Sequence, residues 1–96
     1  MKTITKKEVI QKVAARKGMD PKEVRLVIQD FLDYVSENLQ EGSRFEFRDF
    51  GVFEVVRRKQ KIGRNPKVPN TSIVIPERNA VKFTPGKKIK DLMADS

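Results

Sequence analysis

The feature that most constrains this 96-residue chain is a basic segment, residues 57–82, that cannot join a hydrophobic core. The segment holds eight Lys and Arg side chains against one acid, a net charge of +7 in a chain whose total is +8. Between residues 57 and 79 the large apolar residues are few, namely Ile62, Val68 and the run at 73–75. A block of one sign repels itself unless an anion neutralises it, so we expect this segment to project and to meet a polyanion.

The composition excludes most catalytic chemistry. The chain has no Cys and no His, which removes disulfides, thiolate zinc sites and the commonest general base. We therefore expect no enzyme, no metal site and no cofactor. The pI near 10.0 leaves nucleic acid or an anionic membrane surface as the candidate partner. No apolar signal region opens the chain, and no run reaches the ~18–20 apolar residues of a spanning helix. We expect a soluble, cytoplasmic protein.

Residues 1–42 have the pattern of a helical hairpin. Thr5 followed three residues later by Glu8 predicts a capped helix start, and Gly18 suits the left-handed position after the helix end. The pair Asp20 and Pro21 predicts a second start, because an acidic cap precedes proline at the first helical position. Apolar residues then recur at helical spacing until residue 42, which predicts helices of about 12 and 20 residues.

After residue 42 the apolar period changes to two, which indicates strands. Residues 44–48 alternate Phe with charged residues, and Asp49 with Gly51 supplies turn chemistry because both tolerate positive φ. A strand at 52–56 follows, and a third at 71–75 is interrupted by Pro76, which cannot donate to a ladder. Thr84 and Pro85 predict the cap and first turn of a last helix.

These elements predict an α+β fold of order ααβββα in a single domain, residues 1–96. Its parts are a helical hairpin that dimerises, a three-stranded sheet, a protruding β-ribbon arm and a C-terminal helix. The predicted boundaries are 1–42 for the hairpin, 43–56 and 80–83 for the sheet, 57–79 for the arm and 84–96 for the last helix.

The core that remains outside the arm is small for an independent fold. Roughly 70 residues lie in the range where a single hydrophobic core is marginal, yet six Phe side chains need burial. Two copies that share one core solve this problem, and we favour a homodimer over a small monomer with a loose loop. A heterodimer with a paralogue stays open. The Phe residues assigned to this dimer core are Phe31, Phe45, Phe47, Phe50, Phe53 and Phe83.

The arm has the pattern of a ribbon with a wedge at its end. An apolar strand turns basic and reaches a Gly, Asn and Pro tip before a return strand. Such a ribbon suits the minor groove, where Lys and Arg contact phosphates and an apolar side chain can enter and unstack a base step. Proline is a good wedge because its ring is rigid and loses little entropy on insertion.

These residues resemble the bacterial histone-like family of HU and integration host factor. The matching motifs are Gly-Val-Phe at 51–53, Gly-Arg-Asn-Pro-Lys at 63–67 and Phe-Thr-Pro-Gly-Lys at 83–87, and the resemblance covers essentially the whole chain. It implies an intertwined dimer whose two arms embrace DNA through the minor groove, with Pro66 intercalating on each side. Two departures stand out. Asp49 replaces a usual Gly, which predicts an altered turn into the second strand and an acid near the DNA face. Val68 with Pro69 replaces a usual Thr-Gly, which predicts a stiffer tip with an altered return register.

The resemblance also implies which side chains meet DNA. At the tip these are Arg64, Asn65 and Lys67; on the outgoing strand Arg57, Arg58, Lys59 and Lys61; on the return strand Arg78 and Lys82. Beyond the arm they are Lys6 on the body, Lys87 and Lys88 in the last helix, and Arg44, Glu46 and Arg48 on the strand that faces DNA between the arms. For Arg48 a solvated strand face is an equally good interpretation.

The leading hypothesis is a dimeric, nucleoid-associated protein that bends double-stranded DNA with little sequence preference and favours DNA already bent or distorted. The alternative is a site-preferring regulator like integration host factor, supported by Glu46 and Arg48. RNA stays open as a secondary polyanion. A membrane surface is not expected, because the basic segment lacks an amphipathic helical stripe.

Overall fold

A computed structural model describes the backbone of residues 1–65 and 68–94 and the side chains of residues 1–63 and 72–94. The helices are α1 (Lys6–Lys17), α2 (Pro21–Gln40) and α3 (Lys87–Ala94). The strands are β1 (Phe45–Phe47), β2 (Gly51–Arg58), β3 (Lys61–Asn65), β4 (Val68–Ile75) and β5 (Arg78–Pro85). The predicted α+β fold is confirmed. The chain divides into two compact units, residues 1–37 and 38–96.

Local capping sets the ends of the helical hairpin, as predicted. The Thr5 hydroxyl accepts from the backbone N–H of Glu8 at 3.4 Å, and Gly18 takes a left-handed φ of 63° where α1 ends. The Asp20 carboxylate accepts from the N–H of Lys22 at 2.9 Å, with Pro21 as the first residue of α2. These caps satisfy helix N–H groups that have no partner within the helix.

The first unit buries little of its apolar surface. Among the described residues its core consists of Ile10, Ala14 and Val24, against which Val13 and Ile28 pack. Larger side chains on α2 remain open to solvent, since Val27 is 66% and Phe31 49% exposed. Neither α2 nor any other helix within the described ranges is apolar enough over a sufficient length to cross a membrane.

The second unit is built on antiparallel strands. Strands β1, β2 and β5 form one sheet with β2 in the middle, and β3 pairs with β4 in a second. The register is the same on both sides of the gap between them, from Arg58 opposite Arg78 to Lys61 opposite Ile75. The gap falls where Pro76 would have to donate to its partner strand. The three predicted strand regions therefore become five strands. The missing donor interrupts both strands of the ribbon, so that β2 is separated from β3 and β4 from β5.

The last helix begins later than predicted. Thr84 and Pro85 still pair with Val52 and Gly51 in the sheet, so β5 runs past residue 83 and α3 begins at Lys87. The Gly86 N–H donates to the carbonyl of Phe50 at 2.8 Å, and the Lys88 N–H donates to that of Asp49 at 3.3 Å. The start of α3 is thus held by the β1–β2 turn rather than by a Thr84 cap.

Asp49 keeps the turn although it stands where the resemblance expects glycine. Its φ is 68°, in the left-handed region that Asp tolerates better than most residues. The turn closes through the Phe50 N–H, which donates to the Phe47 carbonyl at 3.0 Å. Asp49 thus adopts the positive φ that it was expected to tolerate, and the substitution leaves the turn hydrogen-bonded.

Candidate nucleic-acid interface

One face of the β1–β2–β5 sheet is aromatic. Phe45, Phe53 and Phe83 lie directly opposite one another across the three strands. The rings of Phe53 and Phe83 are 4.7 Å apart between centroids, and Phe47 meets Phe53 edge-on at 6.2 Å. Phe50 joins the cluster 5.5 Å from Phe83. Five of the six Phe residues predicted for the core are therefore together, while Phe31 belongs to the first unit.

The opposite face of the same sheet is polar, because successive strand residues point to opposite sides. Glu46 and Glu54 lie on this face, and the Arg44 guanidinium is 3.9 Å from each of their carboxylates. Glu54 pairs in register with Lys82. The structure thus brings the predicted residues Arg44, Glu46 and Lys82 onto one surface. Arg48 is exposed just after β1. Glu54 was missed by sequence reasoning, although the β1–β2 register that pairs Phe45 with Phe53 places it beside Arg44.

At the base of the arm the two neighbouring arginines of β2 have different surroundings. The Arg57 guanidinium contacts Glu77 at 3.0 Å and donates to the side-chain oxygen of Asn79 at 3.2 Å. Arg58 lies directly opposite Arg78, both are exposed, and among the described residues no acid pairs with either. Like charges directly opposite each other destabilise a ladder. The Arg58–Arg78 pair is therefore a place where an anion is favoured.

The remaining predicted contacts lie on several elements. Lys59, Lys61, Lys87 and Lys88 are exposed, the last two in the first turn of α3. On the body, the Lys6 ammonium donates to the side-chain oxygen of Gln29. Arg64 and Asn65 end β3, and the register shifts between them, from Arg64 opposite Ser72 to Asn65 opposite Val68. Pro66 and Lys67 lie outside the described residues.

The sequence pattern of the bacterial DNA-binding protein family matches residues 4–94. This chain belongs to the HU and integration host factor family. An HU relative from Chlamydia trachomatis, named as a probable DNA-binding protein, is 53% identical over 93 residues, 97% of this chain and 93% of the relative. The integration host factor subunit beta of Saccharophagus degradans is 35% identical over 94 residues, 97% of this chain and 95% of that subunit.

The HU fold is confirmed by a solved structure as well. A co-crystal structure of Anabaena HU with DNA superposes with a TM-score of 0.85 at 29% identity, covering 97% of this chain and 100% of that one. In this HU/IHF-family chain the candidate interface consists of the polar sheet face, the Arg58–Arg78 pair and the remainder of the arm.

Proposed function

We propose that this chain is an architectural DNA-binding protein that bends DNA by placing its basic arms in the minor groove. The observation that carries the proposal is the Arg58–Arg78 pair, two exposed guanidiniums directly opposite each other on a two-stranded ribbon. Phosphates relieve the repulsion between them, and neutralising phosphates releases counterions, which is the main source of sequence-independent DNA affinity. The segment 57–82 concentrates a net +7 for this purpose.

The other contacts in the proposal follow the same logic. The lysines of the arm and of the first turn of α3 reach phosphates, and Lys6 meets DNA that flanks the bend. At the tip, Arg64, Asn65 and Lys67 contact the groove beside Pro66, which enters a base step as a wedge. Unstacking that step costs a few kcal/mol, offset by contacts that only the bent duplex allows. DNA already bent or nicked is preferred because part of this cost is absent. In a cell such a protein is expected at the nucleoid.

A homodimer is part of the proposal, and the exposed apolar surface supports it. A single chain buries only three apolar side chains among the described residues, while Leu26 of α2 is 68% and Leu92 of α3 67% exposed. Phe50 and Phe83 also remain partly open to solvent. A second copy that covers these surfaces removes them from water, which stabilises the dimer by roughly 25 cal/mol per Å² of apolar area buried.

We therefore expect a sedimentation-equilibrium mass of twice the 11.1 kDa of one chain. The thermal unfolding midpoint should rise with protein concentration, because the folded state of an obligate dimer is stabilised by mass action. A single-chain mass at micromolar concentration, with a midpoint independent of concentration, would contradict the homodimer. It would leave a heterodimer with a paralogue as the assembly to test.

Replacing Pro66 by alanine tests the wedge. We expect the bend of a short duplex, measured by energy transfer between dyes at its two ends, to decrease markedly, because alanine is too small to hold a base step open. The slope of log Kd against log salt should stay nearly unchanged, since no charge is removed. Pro69→Ala, in the same tip, is the matched control and should retain the bend. Equal bending by wild type and Pro66→Ala would remove the wedge role.

A second candidate function is site-preferring regulation like that of integration host factor. The position of Glu46 beside Arg44 on the polar sheet face favours it, because a carboxylate that orients a guanidinium restricts the contacts it can make. Selection of bound sites from a random DNA pool separates the two functions. An enriched motif that disappears in Glu46→Gln and Arg48→Ala variants supports site preference, whereas a flat result supports general nucleoid shaping.

A further inference from the structure

An apolar pair is exposed in the middle of the arm. Ile62 of β3 and Val74 of β4 lie directly opposite each other, with 72% and 57% of their surface open to solvent. A cross-strand pair of this kind stabilises its ladder modestly, by about 0.2–1 kcal/mol. The same two side chains together also leave an apolar patch in water.

The patch shares its face of the ribbon with the Arg58–Arg78 pair. Arg58 and Ile62 are four residues apart on one strand, and Val74 and Arg78 are four apart on the other. Because the register is unchanged across the gap, even spacing places all four side chains on the same side. At about 3.3 Å per residue, the two guanidiniums lie roughly 13 Å from the apolar pair along the arm.

We propose that the Ile62–Val74 pair is a DNA contact that seats on the deoxyribose walls of the minor groove and adds affinity independent of salt. The inference rests on the proposed function and names a contact within it. A ligand that matches this face must present apolar surface beside negative charge. The minor groove does so, because its walls are sugar C–H groups bordered by phosphates, and the proposed bending opens the groove to the ribbon.

The proposal can be tested on the wild-type protein by methyl-labelled NMR. In a complex with an unlabelled duplex, saturated as judged by fluorescence anisotropy, the Ile62 and Val74 methyl groups should shift and show NOEs to deoxyribose H1′ and H4′ protons. The Ile73 methyl is an internal reference, because this residue is adjacent in β4 but belongs to the other face. Free-state shifts for Ile62 and Val74 in a saturated complex would overturn the proposal.

A double variant, Ile62→Thr with Val74→Thr, measures the size of the contribution. Threonine keeps β-branching, so the strands retain their conformational preference. We expect an affinity about tenfold lower at every salt concentration, with log Kd lines parallel to those of wild type, since hydrophobic burial does not release counterions. Ile73→Thr is the matched control for ribbon packing and should bind nearly as wild type. Equal losses in both variants, or unchanged affinity in the double variant, would overturn the proposal.

The outcomes also separate this inference from the function on which it rests. If wild type shows no salt-dependent duplex binding, the proposed function is wrong. If wild type binds with a steep salt slope while the methyl shifts and the double variant show no effect, only the apolar contact is wrong. If the patch binds another protein instead, its methyl groups shift with that protein and not with DNA, which again contradicts the contact proposed here.

Discussion

Replacing Arg58 and Arg78 together by alanine should weaken duplex binding about a hundredfold near physiological salt, and lower the magnitude of the log Kd–log salt slope by roughly 3–4 per dimer. Each arm loses two cations and a dimer has two arms, so about four phosphate contacts are lost. Each neutralised phosphate contributes about 0.9 to the slope. The two arginines lie directly opposite each other without a described acidic partner. Fluorescence anisotropy over a series of salt concentrations measures both quantities.

The same double substitution should affect stability in the opposite direction. Removing like charges that face each other across a ladder stabilises the free protein by a few tenths of a kcal/mol. The double variant Arg16→Ala with Lys17→Ala is the matched control, because it removes the same charge from the last turn of α1. A loss of affinity and slope as large in the control as in the arm variant would show that only net charge matters.

Gly86→Ala should lower the free energy of unfolding by about 3 kcal/mol, a loss in the range of severe packing and strain defects. A Cβ added at Gly86 would lie 2.8 Å from both the carbonyl carbon and the oxygen of Asp49 and 3.0 Å from the carbonyl carbon of Phe50. These atoms are backbone, and the 2.8 Å hydrogen bond from Gly86 to Phe50 holds the two segments together. Relief therefore requires the start of α3 to separate from the β1–β2 turn.

Urea unfolding at one fixed protein concentration measures this loss, since the proposed dimer makes stability depend on concentration. Gly63→Ala is the control in the arm: an added Cβ there would be 3.7 Å from the nearest atom, a methyl of Ile75, so we expect a near-neutral effect. If Gly86→Ala unfolds at the urea concentration of wild type, the close contact does not constrain the position of α3.

Much of the fold follows from short-range patterns. The caps at Thr5 and Asp20, the left-handed Gly18 and the interruption at Pro76 were predicted correctly, because each depends on a few neighbouring backbone groups. The start of α3 was predicted wrongly. Thr84 has the local chemistry of a cap, but its pairing with Val52 outweighs that preference.

The candidate site divides in the same way. The sequence alone determined where the positive charge lies, which strand positions alternate between apolar and polar, and which family the chain belongs to. It also identified aromatic residues that pack together, since five of the six Phe residues assigned to the core form one cluster.

Only the tertiary structure decided which side chains face each other. The register places Arg58 opposite Arg78 and Ile62 opposite Val74, and it brings Glu54 beside Arg44. A shift of one residue would move every such side chain to the other face without changing any local pattern. These partners, 10 to 20 residues apart, are set by the whole ladder and by the packing of its aromatic face, which is why the sequence located the charges and the structure determined how they are paired.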